Sequence, residues 1–158
     1  MKTLRKLLPI LTLIPLLLVQ IAKAESGEPR VIKIKATDQM RFSVQSIDAQ
    51  PGETIKIELT VVSNFPKMAM SHNFVLLKEG VDAMTFAVAA AKERDNDYIP
   101  QDLKNQILAH TALAGGGETV EVTFTVPQEP GSYQYICSFP GHYASGMKGM
   151  LTVKKQAS

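Results

Sequence analysis

Residues 137–147 read Cys137-Ser-Phe-Pro-Gly-His142-Tyr-Ala-Ser-Gly-Met147. A thiol, an imidazole and a thioether follow one another at even five-residue steps. Just upstream, after the Pro130-Gly131 turn, Tyr133, Tyr135 and Cys137 alternate and so share one face of a strand. Just downstream, Met150 to Val153 forms a final strand. Cys137, His142 and Met147 therefore sit where one strand ends and a short loop, turned by Pro140-Gly141, leads into the next.

Outward from this stretch the same period of two recurs. Val120, Val122, Phe124 and Val126 alternate and stop at Pro127. Ile55, Ile57, Leu59 and Val61 alternate between Glu53 and Val62, entered through Pro51-Gly52. Val31 and Ile34 mark a first strand, and Met40 to Val44 a short second one. Strands separated by turn signals predict an all-β, antiparallel, Greek-key β-sandwich. One segment departs from the pattern. Asp82 to Lys92 is Ala-rich, with Met84, Ala87, Val88 and Ala91 at helical spacing and the charged residues 93–97 after it. It predicts a short helical insertion near residues 82–95, packed outside the sandwich.

The chain has a single cysteine, so no internal disulfide can form. Beside His142 and Met147 the thiol reads as a metal ligand. A second imidazole, His72, stands far upstream in Met70-Ser-His-Asn. Two His, one Cys and one Met make the donor set of a type 1 copper site. Cu(I) favours soft sulfur, whereas Cu(II) accepts imidazole well. A Cys-His-His plane with a long thioether contact suits neither state fully, and so changes little between them, which favours rapid one-electron transfer. Copper is the expected cofactor, with His72, Cys137, His142 and Met147 as candidate ligands. Met150 is the alternative thioether, although its place in the last strand reads as core. His110 reads as a surface residue, and Met40, Met68 and Met70 as packing or as an apolar rim around the metal.

The N-terminus reads as an export leader. Lys2, Arg5 and Lys6 precede an apolar run from Leu7 to Ala22, and Ala22-Lys23-Ala24 has the small-x-small form of a cleavage site. The run contains Pro9 and Pro15 and is short for a membrane span. Removal of residues 1–24 would leave one domain at 25–158, in the periplasm. It would also remove four basic and no acidic residues, taking the formal charge from +2 to −2. That balance suggests neither nucleic acid nor stable membrane association. Gly115-Gly-Gly117 lacks the following Lys and Ser/Thr of a phosphate loop. Three His supply no His-Glu-x-x-His pair and no additional copper sites, and no Gly-x-Ser-x-Gly elbow occurs. The chain is expected not to be an enzyme.

In several stretches the chain resembles the azurin family of cupredoxins, with auracyanin-like proteins among its relatives. Met70-Ser-His-Asn-Phe74 is similar to the family's Met-Gly-His-Asn-Trp. Ile107-Leu-Ala-His-Thr111 resembles its Ile-Ala-His-Thr, and Cys137-Ser-Phe-Pro-Gly-His142 its Cys-Thr-Phe-Pro-Gly-His. Met147-Lys-Gly149 matches as well, and the resemblance spans roughly residues 30–154.

The resemblance implies that His72, Cys137 and His142 are equatorial ligands and Met147 axial. It also implies that Asn73 ties the His72 segment to the Cys137 loop and that the Phe139 N–H points at the sulfur. Ser71 stands where the family has a Gly that offers its carbonyl as a distant axial contact. The His142–Met147 loop is one residue longer than in azurin, the N-terminal disulfide of azurin is missing, and Val61 replaces a buried titrating His. The resemblance further implies that electrons leave through His142. The patch around it would be Phe139, Pro140, Tyr143, Ala144, Met40 and Ala114, against which redox proteins, cytochrome-like or membrane-bound, would dock briefly. The expected function is a soluble exported electron carrier. The alternative is a copper chaperone or storage protein using Met68-Ala-Met70-Ser-His72.

Overall fold

The computed structural model describes residues 27–154. Two sheets face each other. The first has the order β2 (Arg41–Phe42), β1 (Arg30–Thr37), β4 (Thr54–Val62), β7 (Thr119–Thr125). The second has the order β3 (Ser46–Ala49), β9 (Lys148–Val153), β8 (Gly131–Ile136), β5 (Val75–Leu77), β6 (Ile107–His110). The chain crosses between sheets after β2, β3, β4, β6 and β7, as a Greek-key sandwich requires.

The alternation read in β4 is the inner face of the first sheet, with Ile55, Ile57, Leu59 and Val61 buried. Against them stand Tyr133, Tyr135, Leu151 and Val153 from β8 and β9. Tyr135 is the centre of this core. Its ring lies 4.9 Å from Phe74 and 5.7 Å from Phe42, and its hydroxyl donates to the Val44 carbonyl at 2.7 Å. Across the ladder it faces Gly149, where a Cβ would come within 2.1 Å of the ring. Gly149 therefore leaves the room that the tyrosine occupies.

Three expectations need correction. The sandwich is not wholly antiparallel, because β1 runs parallel to β4 and β3 parallel to β9. Alternation reports which face is buried and carries no information on strand direction. The helix, α1 (Ala83–Ala90), is capped by Asp82, whose Oδ1 accepts from the Thr85 N–H at 2.6 Å. It buries Ala83, Phe86 and Ala90, while Met84 and Val88 are 48% and 57% exposed. A helix apolar on every side offers no stripe to read, and Phe86, with the most area to bury, sets its rotation. With Ile99, α1 covers Val75, Leu77 and Ile136 on the outer face of the second sheet, so β5 is buried on both sides. Met150, read as core, is paired with Gln134 and lies half-buried on the face opposite Leu151. Residues 1–24, read as a leader, lie outside the described residues.

Candidate metal centre

The site is built at one end of the sandwich, where the second sheet stops. β8 ends at Ile136, and Cys137 is the next residue, still on the inward face. Its backbone N–H donates to the Met147 carbonyl at 3.2 Å, which closes the base of the loop. Within the loop, His142 N–H bonds Phe139 O (3.1 Å), Gly146 N–H bonds Tyr143 O (2.9 Å) and Met147 N–H bonds His142 O (2.9 Å). Gly141 and Gly146 take φ of +81° and +97°, values that glycine adopts without strain. His72 comes from the segment between β4 and β5. Two reciprocal backbone hydrogen bonds with Ala114, both 2.9 Å, pin it in place.

These elements bring three side chains together. Cys137 Sγ lies 3.4 Å from His142 Nδ1 and 3.9 Å from His72 Nδ1. The three donor atoms lie within 4.8 Å of one another, and the imidazole rings are 4.8 Å apart. His72 and Cys137 are fully buried, His142 retains 3% exposure, and Met147 beside them is fully buried. His110 is exposed, with Nδ1 3.1 Å from the Thr111 carbonyl, and takes no part in the cluster.

Burial controls the protonation of these groups. It pulls both imidazoles down to about 4; proximity to Asp38 partly offsets this at His72, and His72 reinforces it at His142. Burial also pushes the Cys137 thiol up to about 12, opposed by hydrogen bonds from the backbone N–H groups of Asn73 and Phe139. At neutral pH the set is therefore two neutral imidazoles facing a thiol, with no carboxylate among the described residues hydrogen-bonded to it. His72 Nε2 has no hydrogen-bond partner among the described residues. Neutral imidazole nitrogens at this separation suit one small ion held by bonds of roughly 2 Å. Two nitrogens, one thiolate and a neighbouring thioether are the soft and borderline donors that copper prefers. The residues present fit a type 1 copper site.

A further layer holds the donors still. Asn73 Nδ2 donates to Ser138 Oγ at 2.8 Å, and Asn73 Oδ1 accepts from the Ser138 N–H at 2.9 Å. Phe74 N–H bonds Thr111 Oγ1 at 3.0 Å, joining the His72 segment to the chain after β6. Ser71 is buried, and its hydroxyl donates to the Lys67 carbonyl. The sequence alone does not identify the roles of Ser138 and Thr111. The available signal was a hydroxyl residue next to a ligand in one case and His110-Thr111 in the other.

The patch expected around His142 is only partly assembled. Pro140 and Ala144 are exposed, and Phe139 and Met40 are half-buried. Phe139 lies with its ring 4.7 Å from that of His142. Tyr143 instead leans on the cluster beneath α1, with the Lys148 ammonium 5.2 Å from its ring centre. Ala114 is fully buried behind His72, so it cannot line a surface. Met68, 78% exposed, borders a hollow with Leu113, Tyr98 and Phe139 beside the site.

A sequence model described as copper binding proteins of the plastocyanin/azurin family matches residues 30–154. The chain belongs to that family. Azurin of Pseudomonas aeruginosa is 35% identical over 154 residues, covering 96% of this chain and 99% of that protein. Auracyanin-B of Chloroflexus aurantiacus is 37% identical over 119 residues. That match covers 75% of this chain and 49% of auracyanin-B, so the chain spans about half of that relative. Among solved structures, dithionite-reduced auracyanin from Roseiflexus castenholzii superposes with a TM-score of 0.71 at 31% identity. It covers 82% of this chain and 100% of that one. Membership of the plastocyanin/azurin family agrees with the sandwich and with the His-Cys-His cluster at its end.

Proposed function

We propose that the protein is an exported electron carrier that moves single electrons through one type 1 copper ion held by His72, Cys137, His142 and Met147. The observation that carries the reading is the buried triad, with Cys137 Sγ 3.4 and 3.9 Å from two neutral imidazole nitrogens. When bound, copper supplies a Cu(I)/Cu(II) couple. The chain contributes what makes that couple fast. Asn73 and Ser138 lock the two ligand-bearing segments together, and the Phe139 and Asn73 N–H groups stabilise negative charge on the sulfur. Close packing by Phe42, Phe74 and Tyr135 beneath the site resists rearrangement between oxidation states.

Electrons would leave through the remaining edge of His142, framed by Phe139, Pro140, Ala144 and Met40. A small apolar contact of this kind suits a redox partner that must bind and leave quickly. Export would rest on cleavage of residues 1–24, and residues 25–158 would form the mature domain. The storage alternative is not favoured: Met68 points into solvent, and it leaves the thiol between two imidazoles without a role. The test is the visible spectrum and cyclic voltammogram of the copper-loaded protein. An intense thiolate-to-Cu(II) band with a reversible one-electron wave is expected. A colourless protein that holds only Cu(I) would overturn the reading.

A further inference from the structure

The helical insertion returns to the sandwich through a turn that touches both supports of the metal centre. Asp97 and Tyr98 take φ of +52° and +58° in succession. Neither is glycine, and left-handed backbone at two consecutive such residues persists only where the surroundings enforce it. The enforcing contacts are local. Tyr98 N–H bonds Glu93 O and Ile99 N–H bonds Asn96 O, both at 2.9 Å, and Ile99 is buried beneath α1.

The conformation places two groups against the site. The Asp97 carbonyl accepts from Asn73 Nδ2 at 3.3 Å, on the same amide that binds Ser138. The Tyr98 ring meets Phe139 edge-on, with centres 5.0 Å apart and planes at 67°. Phe139 in turn lies against His142, and its carbonyl accepts the His142 N–H. Neither Asp97 nor Tyr98 is within the donor cluster, so each acts through a neighbour.

We infer that the Asp97-Tyr98 turn is a positioning element for the metal centre, in which Tyr98 fixes Phe139, and through it the His142 ring, while the Asp97 carbonyl sets the orientation of the Asn73 amide. The inference rests on the copper reading above. With its second amide hydrogen taken by Asp97, Asn73 presents its oxygen to the Ser138 N–H and cannot flip without losing both bonds. With the Tyr98 ring packed edge-on against it, Phe139 is held against the His142 ring.

The test compares copper-loaded wild type with Tyr98→Ala, Tyr98→Leu and Tyr98→Phe. Three quantities are read: the Cu(II) electron-paramagnetic hyperfine splitting, the ratio of the visible bands, and the rate of copper loss to an excess of chelator. Tyr98→Ala is expected to change the splitting and the band ratio and to release copper about tenfold faster, the usual scale for removing a support of a metal ligand. Tyr98→Phe should match wild type, because the contact uses the ring edge and not the hydroxyl. Tyr98→Leu keeps apolar volume without an aromatic edge. It should follow Tyr98→Ala, and it decides the matter if Tyr98→Ala does not fold. Wild-type values for all three readouts in Tyr98→Leu, with a blue wild type, would overturn this inference alone. A wild type without the blue band would instead overturn the copper reading, and this inference with it.

Discussion

Cys137 is the residue on which the chemistry turns, and its surroundings set a definite proton balance. Burial holds the thiol protonated up to about 12 and both imidazoles neutral down to about 4. A metal ligand must be a thiolate and neutral imidazoles. At pH 7 copper uptake should therefore release about one proton, from the sulfur, and none from His72 or His142. Calorimetry in buffers of different ionisation enthalpy measures the number, and a value near three would mean that both imidazoles start charged. Cys137→Ser should abolish the intense visible band while leaving the far-ultraviolet circular dichroism unchanged, because the core around Tyr135 does not depend on the ligand. Met147→Leu should keep the colour and raise the reduction potential, since a thioether stabilises Cu(II) slightly and an apolar neighbour favours the ion of lower charge. Voltammetry of the variant reads the sign, and a lowered or unchanged potential would remove Met147 from the donor set.

The ligand loop shows at the scale of an element what the sequence made legible and what it did not. The order of donors, the strand before them and the turn at Pro140-Gly141 could be read directly, because side-chain chemistry and period are local properties. So could β4 and β7, whose long alternation has one buried face. β3, β5 and β6 carry no such signal: they have three or four residues each, and β5 is apolar on both faces under α1. Nothing in Leu-Ala-Gly announces the backbone pairing with His72 that buries Ala114. The loop also has a backbone feature that no motif records. Gly146 takes φ +97° beneath the Arg41 guanidinium, and Arg41 donates to the Ser145 and Met40 carbonyls. Gly146→Ala would force a left-handed alanine with its Cβ about 3.1 Å from that guanidinium. The expected cost is about 1–2 kcal/mol in chemical unfolding of the metal-free protein. A second variant tests the electron exit. Ala144→Asp leaves every donor untouched and puts a charge on the exposed rim, so self-exchange should slow at matched ionic strength with the spectrum unchanged. Equal rates would move docking elsewhere.

For the whole molecule, the same buried groups make stability depend on pH, with opposite signs on the two sides of neutrality. Each imidazole has a folded value near 4 against an ordinary 6.5, so between these limits the unfolded chain binds more protons than the folded one. Stability contributed by His72 and His142 is therefore complete above about pH 6.5 and is lost as pH falls through 4. The thiol behaves in the opposite sense, with a folded value near 12 against 9. Its contribution is complete below about pH 9 and is lost as pH rises toward 12. Metal-free protein should thus be most stable between roughly pH 6.5 and 9. The acid limb should be worth a few kcal/mol for the pair together, because part of the depression at His142 comes from His72 and one pKa unit corresponds to about 1.4 kcal/mol. The surface ion pairs, such as half-buried Lys56 with Glu121 and exposed Lys154 with Asp48, add little to this profile. Urea unfolding of copper-stripped protein from pH 4 to 10 measures the curve, and His72→Gln isolates one limb, because it removes one titrating imidazole while keeping a polar side chain of similar reach. The variant should start from lower stability near pH 8 yet lose less than wild type on acidification to pH 4.5. An equal slope in the two proteins would show that His72 is not held neutral by burial, and that the triad is more open to water than its burial beside Phe74 and Met147 implies.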